Sequence, residues 1–182
     1  MSRPVTLNIT GRQSGKWQIS PFTYEANAGL QRLSDGSFVR YEVPLYFVEV
    51  QGGRSFKAVR FGLVNRREPI PPATRHCDAG LTKARTVQAE WVAGYSPHSF
   101  RLPGRAGAWR VFRHFLIHQG STGSTIGGSL GCIEIVGNGE WDQFLALLEN
   151  LAGAPCPMIG RTHSLTVRVE EAPYANAILV SP

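Results

Sequence analysis

The chain has 182 residues, of which 42% are hydrophobic and 18% are charged. These fractions are typical of a globular protein and exclude wholesale disorder, which requires low hydrophobicity and high net charge. Lys and Arg number 19 against 13 Asp and Glu, and the net charge of +6 leaves open an anionic partner or a merely basic surface. The 20 Gly and 12 Pro favour many turns and short strands over a helical bundle.

Strands are predicted over about residues 1–64 of a single domain that spans 1–182. Alternating or β-branched residues mark strands at 5–10, 38–43 and 45–50. The turn at 51–54 contains two glycines and joins the last of these strands to an apolar stretch that ends near residue 64. This pattern indicates a β-hairpin.

Residues 65–108 are rich in loops, with short strands expected near 87–92, and such a long irregular segment is usually functional or mobile. Residues 109–118 are predicted to form one strand that enters the core, the first part of a His-to-Cys segment at 109–136. The principal helix is predicted at about 140–151, because apolar residues recur there at helical spacing. The stripe consists of Trp141, Phe144, Leu145, Leu148 and Leu151.

The first residues of the chain and its cysteines bear on the cellular compartment in which the protein acts. No apolar run of about 7–15 residues follows Arg3, so we expect synthesis in the cytoplasm without a Sec signal. No stretch approaches the ~18 apolar residues of a membrane span. The three cysteines exclude a fully paired disulfide framework. Cys77 and Cys156 could pair in an oxidising compartment or remain two thiols.

The segment 117–133 carries the most informative chemistry. His118 ends an apolar stretch, a glycine-rich loop follows, and Cys132 begins another apolar stretch 14 residues later. Glycine lets the backbone approach a ligand closely, and a cysteine nucleophile needs a neighbour such as His that favours the thiolate. From the residues alone, a buried structural cysteine and a core histidine remain the alternative to a catalytic pair.

The motif His118-x-Gly120, followed by Ser129-x-Gly131-Cys132-Ile133, resembles the signature of the YkuD-type L,D-transpeptidase catalytic domain. The resemblance covers about 117–136, or to 151 with the helix. It implies a mainly β fold, a YkuD-like sandwich or open barrel, with one principal helix after the cysteine strand. The order of His before Cys differs from that of papain-like peptidases.

The resemblance also implies a reaction on peptidoglycan stem peptides. The Cys132 thiolate would attack the carbonyl between diaminopimelate and D-Ala, and His118 would take up the thiol proton and later protonate the leaving amine. A thioacyl-enzyme would pass its acyl group to water or to an amine. The amides of Gly131 and Cys132 would hold the oxyanion, and Ser129 would shape the nucleophile loop. A backbone carbonyl typically orients the histidine in this family.

One departure from the family pattern lies two residues after the cysteine. The family often has Arg there, whereas this chain has Glu134, which shares a strand face with Cys132 and is expected to contact substrate. The loop-rich region offers four further candidates for a substrate groove. These are Trp91, Tyr95, His98 and Arg101. We expect no metal and no cofactor.

Short proteins of this kind without a signal resemble the L,D-transpeptidase-like effectors of type VI secretion. That resemblance implies secretion into the periplasm of a target bacterium, with secretion machinery and a cognate immunity protein as partners. Two alternatives of other classes remain open. One is a non-catalytic cell-wall-binding module, and the other is a basic nucleic-acid-binding β-domain, although no basic run or nucleic-acid motif supports a nucleic-acid partner.

Overall fold

The computed structural model describes residues 2–23, 30–65, 74–76, 81–96, 104–123 and 127–181. Strands make up 45% and helices 13%, so the prediction of a mainly β fold is confirmed. The strands are β1 Val5–Ile19, β2 Phe22–Thr23, β3 Arg40–Val50, β4 Ser55–Val59, β5 Leu63–Asn65, β6 Thr74–His76, β7 Arg85–Gln88, β8 Glu90–Val92, β9 Ala108–Phe112, β10 Phe115–Gln119, β11 Ile133–Ile135, β12 Leu165–Val169 and β13 Ile178–Ser181. The helices are α1 Glu140–Ala152 and α2 Cys156–Arg161.

Ten strands form a nearly closed, barrel-like sheet. Their order is β7-β12-β1-β3-β4-β11-β10-β9-β8, and β13 pairs with β3 beside this path. The short strands β2, β5 and β6 form a second sheet. Two neighbouring pairs in the large sheet, β1 with β12 and β10 with β11, run parallel. Parallel neighbours need a crossover connection, and the one between β10 and β11 carries the predicted His-to-Cys loop.

The first strands are longer than the sequence indicated. β1 continues through Gly11 and Gly15, well beyond the predicted strand at 5–10, and β3 continues through Pro44, where two separate strands were expected. The β1–β3 pairing shifts its register between Gln13 and Lys16, and Lys16 pairs with Pro44 at that irregularity. Proline lacks the N–H that a regular ladder requires, so a break in register is where a strand tolerates it.

The prediction of one strand at 109–118 is wrong. The segment is a hairpin, with β9 and β10 joined by a tight turn at Arg113 and His114. Arg113 adopts a φ of 50°, in the left-handed region that suits two-residue hairpin turns. His114 therefore lies outside β10, the strand that carries His118.

Helix α1 follows β11 as predicted and packs its apolar stripe against the sheet. Trp141, Phe144, Leu145 and Leu148 are buried, whereas Leu151 is only partly buried and Ala152 completes the face. Burial of each large side chain contributes about 1.5–3 kcal/mol, so this face fixes the helix on the sheet. The short helix α2 was not predicted, because six residues are too few for a periodic pattern to be recognised.

Candidate active site

The crossover from β10 to β11 brings His118 and Cys132 to one side of the sheet. In the parallel register Ile117 pairs with Ile133 and His118 pairs with Glu134. Side chains of paired residues lie on the same face, and the face alternates along a strand. Cys132 immediately precedes β11, next to the strand that carries His118. The 14-residue separation in sequence therefore becomes adjacency in space.

The Cys132 sulfur contacts the first part of β10. The backbone N–H of Leu116 donates to Sγ at 3.4 Å, and Sγ lies 3.9 Å from the carbonyl oxygen of His114. The residue is partly exposed. An amide that donates to sulfur stabilises the thiolate, which is the nucleophilic form. The position therefore combines access for a substrate with two opposed contacts, because the Leu116 amide favours the thiolate and the His114 carbonyl accepts from the neutral thiol.

His118 is buried, and its ring is held by its own strand. Nδ1 lies 2.7 Å from the carbonyl oxygen of Gln119. A carbonyl can only accept, so Nδ1 carries a proton and the neutral ring has an unprotonated Nε2. The carbonyl that orients the ring in this structure is therefore that of Gln119. In this tautomer Nε2 carries the lone pair that can accept a proton.

Glu134 faces that second nitrogen. Its Oε1 lies 4.0 Å from His118 Nε2, and both side chains are at most 5% exposed. Burial raises the pKa of Glu134 well above its usual value of 4.5. A carboxyl so deeply buried presents little surface to a substrate, so its contact is with His118 instead. This location does not match the expected substrate contact.

Tyr95 completes the cluster. Its ring lies 5.1 Å from the His118 ring between centroids, at an angle of 46°. Burial raises the pKa of its hydroxyl, and negative charge on Cys132 and Glu134 adds to the rise. These electrostatic influences require the three groups to be near one another. Of the two expected groove residues that the structure describes, Trp91 and Tyr95, it is therefore Tyr95 that lies beside His118.

Two hydrogen bonds of the Ser129 hydroxyl hold the nucleophile loop, residues 129–132, in its conformation. That hydroxyl donates to the carbonyl oxygen of Cys132 at 2.9 Å and accepts from the amide of Gly131 at 3.0 Å. Gly131 has a φ of 114°, which residues other than glycine rarely adopt, so a glycine is needed before the nucleophile. The Gly131 amide was expected to bind an oxyanion. Here it is engaged with Ser129, and the hydroxyl would have to release it.

Two other predicted site residues have packing roles. A Cβ atom on Gly120 would lie 2.8 Å from Glu134 Cβ, so glycine there lets the loop pass directly over the acid. Trp91 packs edge to face against Trp109, with ring centroids 5.0 Å apart. It joins the edge of the large core, whereas it was expected to line a groove.

Two further expectations fall partly or wholly outside the described residues. His98 and Arg101 lie in the undescribed segment 97–103, and Cys77 in the segment 77–80. Cys156 is a buried thiol without a disulfide. Burial, with the Glu149 carboxylate nearby, raises the pKa of that thiol to about 12. Cys156 therefore differs chemically from the partly exposed Cys132.

Sequence reasoning missed the two backbone groups that organise the pair. The amide of Leu116 and the carbonyl of Gln119 belong to residues with no distinctive signal, because any residue there supplies the same atoms. Within the described ranges, no group of three or more His, Cys, Asp or Glu could hold a metal ion. None of the described helices is long and apolar enough to cross a membrane.

Comparisons with known proteins add no family assignment. No protein-family model, no curated protein and no solved structure matched this chain. The likeness to the YkuD-type domain therefore depends on the residues of the motif, and the site is interpreted from its own geometry.

Proposed function

We propose that the protein is a cysteine acyltransferase that acts on peptidoglycan stem peptides, as an L,D-carboxypeptidase, an L,D-transpeptidase or both. The observation that carries the proposal is the pairing of β10 with β11. It sets a partly exposed thiol next to the strand of a buried histidine whose Nδ1 is already committed to a carbonyl. A nucleophile, a base and a group that orients the base are the elements of covalent acyl transfer.

In the proposed first step, the Cys132 thiol gives its proton to His118 Nε2. The Leu116 amide stabilises the thiolate that remains, and the Gln119 carbonyl keeps the imidazolium in place. The thiolate then attacks the peptide carbonyl and forms a tetrahedral oxyanion. On its collapse, the C–N bond breaks and the leaving amine takes the proton from Nε2. A thioester remains, and water or an amine attacks it in the second step.

Glu134 fits this scheme as a deeply buried neighbour of the histidine. A charged carboxylate near Cys132 would oppose ionisation of the thiol. Burial raises the pKa of Glu134 well above its usual value and so favours the neutral carboxyl, which does not repel a thiolate.

The biological setting of the proposal is antibacterial. A basic protein with a net charge of +6 suits an acidic cell-wall polymer. We place its action in the periplasm of a target bacterium, as a secreted effector with an immunity protein as its cognate partner. That setting derives from the resemblance to the type VI effectors and is separable from the chemistry.

The test is mass spectrometry of muropeptides after incubation with the wild type, Cys132→Ala, His118→Ala and Cys156→Ala. The Cys156 variant is the matched control, because it removes a thiol outside the site. Tetrapeptide stems shortened to tripeptides, or carrying exchanged D-amino acids, are expected with the wild type and the control only.

Unchanged stems with all four proteins, alongside an active reference enzyme, would contradict the proposal. Binding to sacculi that persists in Cys132→Ala would then favour the wall-binding module. Salt-dependent binding to DNA or RNA that does not require Cys132 would favour the nucleic-acid-binding domain.

A further inference from the structure

Arg105 lies outside the helices and strands, yet helix α1 holds its amide, its carbonyl and its side chain. The amide donates to Asp142 Oδ1 at 2.8 Å, and the carbonyl accepts from Trp141 Nε1 at 2.9 Å. The guanidinium donates to both carboxylate oxygens of Glu149, at 2.7 and 2.8 Å. Bidentate pairing of guanidinium with carboxylate fixes orientation as well as distance. Arg105 is therefore fixed on α1 in both position and direction.

This anchor stays formed at every pH at which a cysteine enzyme works. The hydrogen bond from Arg105 is the main cause that lowers the pKa of Glu149 to about 2. The carboxylate is therefore charged at neutral pH, and a guanidinium does not lose its proton in proteins. Asp142 and Glu149 are seven residues apart, so both acceptors lie on one face of α1.

The segment 104–107, which contains Arg105, also contacts the candidate active site. The amide of Gly107 donates to the carbonyl oxygen of Tyr95 at 2.9 Å. A Cβ atom on Gly104 would lie 2.7 Å from Oε1 of Gln119, so the segment lies directly on that side chain. Tyr95 is the aromatic neighbour of the His118 ring, and Gln119 supplies the carbonyl that holds its Nδ1. The segment thus touches both residues that surround the proposed base.

Tyr95 depends on this segment because strand pairing does not place it. It follows a turn at 93–94, after the end of β8, and is itself outside the sheet. A Cβ atom on Gly107 would lie 2.1 Å from the ring of Trp91 on β8. Glycine at position 107 therefore lets the segment pass against Trp91 and reach the Tyr95 carbonyl. An unbroken series of contacts leads from α1 through Arg105 and Gly107 to Tyr95.

We propose that Arg105 is a positioning residue that, through residues 104–107, holds Tyr95 against the ring of His118. The inference rests on the proposed function, to which it adds a residue that no motif in the sequence indicates. The guanidinium is directed at the helix, so its effect on the reaction is transmitted by Tyr95. A ring held on one side by Tyr95 and at Nδ1 by a carbonyl has little freedom to turn Nε2 away from the thiol.

Arg54 provides a matched comparison for an ion pair that only stabilises. It donates to Glu140 at 2.9 Å and to Gln143 at 2.8 Å, so it also joins a loop to α1. Its side chain is 47% exposed and that of Arg105 is 43% exposed, so the two pairs should contribute similarly to stability. Within the described residues, the turn at 51–54 forms its hydrogen bonds with β1, β3 and α1, and none of them is with Tyr95.

The first measurement is the NMR resonance of the His118 ring Cε1 proton, assigned with His118→Asn. The ring current of an aromatic side chain shifts nearby protons, so this resonance reports the distance to Tyr95. We expect Arg105→Met to move it towards its position in Tyr95→Leu, and Arg54→Met to leave it in place. Melting temperatures of the two arginine variants should fall by similar amounts. An unmoved resonance in Arg105→Met, or equal movement in both arginine variants, would overturn the inference.

A second variant covers the case in which Arg105→Met fails to fold. Asp142→Ala removes only the acceptor of the Arg105 amide, on the surface of α1, and leaves the guanidinium in its pair with Glu149. The His118 resonance should move in the same direction by a smaller amount. If Asp142→Ala folds and the resonance does not move, the inference is overturned.

Turnover of the tetrapeptide L-Ala-γ-D-Glu-diaminopimelate-D-Ala tests the functional consequence. Arg105→Met should lower kcat at least about tenfold and change KM much less, because displacement of the base affects the chemical step. In a Tyr95→Leu background the same substitution should lower kcat no further, since residues that act in series are not additive. Additive losses, or an unchanged kcat, would overturn the inference.

The two kinds of measurement separate this inference from the proposed function. The resonance of His118 requires no turnover. Movement in Arg105→Met without any turnover by the wild type would overturn the enzyme and support the positioning of Tyr95. Turnover by the wild type with an unmoved resonance would overturn the positioning alone. Absence of both turnover and movement would overturn both.

Discussion

Gly62 packs directly against the nucleophile loop, and its replacement by alanine should displace that loop. A Cβ atom at position 62 would lie 2.0 Å from the carbonyl oxygen of Ser129 and 2.3 Å from the amide nitrogen of Gly131. Real Cβ atoms essentially never approach closer than 3.0 Å. Both neighbours are backbone atoms, so the loop must move by about 1 Å because no rotamer can relieve the overlap.

The size of the effect follows from this displacement. Gly62 is not among the residues with positive φ, so the cost is steric and not conformational. Overpacking of this kind destabilises by about 1–3 kcal/mol. A shift of about 1 Å at a reacting group costs about 100-fold in rate. We therefore expect Gly62→Ala to fold with reduced stability and to lose most of its turnover.

The assay combines urea unfolding with alkylation of Cys132 by iodoacetamide, in a background with Cys77 replaced by Ser. Gly53→Ala is the control, because its Cβ would meet the terminal methyl groups of Leu147 at 2.7 and 3.0 Å, which can move aside. The control should change stability by less than about 1 kcal/mol and leave the alkylation rate unaltered. Gly62→Ala should lower stability and change the alkylation rate.

The reasoning would be refuted if Gly62→Ala matched the wild type in both measurements. That result would mean that residues 129–131 do not lie against position 62 as closely as the structure places them. Lower stability with an unaltered alkylation rate would support the steric clash at position 62 but contradict the claim that the loop position controls the reactivity of Cys132.

Three further predictions concern buried ionisable groups. Because the pKa of Glu134 is raised in the folded state, the free energy of unfolding should be greatest below about pH 4.5 and fall as the pH rises through the folded pKa. Glu134→Gln should remove that fall in urea titrations from pH 4 to 8. Parallel curves of unfolding free energy against pH for the two proteins would contradict the prediction. The fully buried Arg60 donates to three backbone carbonyls. Arg60→Met should therefore lower the free energy of unfolding by at least about 3 kcal/mol in the same assay. A decrease of less than about 1 kcal/mol would be inconsistent with those hydrogen bonds. Cys156, with a pKa of about 12, should stay unalkylated at pH 8 while Cys132 reacts, and equal labelling rates would disprove the difference.

The alternation of apolar residues was sufficient to predict the β-rich class and the hairpin around 51–54. It could not locate the end of the fourth strand. That strand stops before Arg60, whose guanidinium turns inward to carbonyl oxygens of Thr10, Leu81 and Glu170. From sequence, a single charged residue in an apolar stretch is predicted to face solvent, because carbonyl partners that are distant in the chain leave no local signal.

The hairpin at 109–118 illustrates a second limit. Neither Arg113 nor His114 is a typical turn residue, so ten residues with strand character gave no reason to place a turn between them. The position is decided by the pairing of Phe112 with Phe115 and by packing of both strands on the core. Tertiary contacts here override the local preference against a left-handed arginine.

By itself the sequence determined the class of fold, the helix after the cysteine, and the two residue types on which the candidate chemistry depends. Those features are encoded locally, by hydrophobic periodicity and by residues that carry reactive atoms. The tertiary structure alone decided the neighbours of Cys132 and His118. The amide of Leu116, the carbonyl of Gln119 and the buried position of Glu134 follow from a parallel register between strands that are 14 residues apart. Register is set by how the whole sheet closes around its core, and no local pattern specifies it.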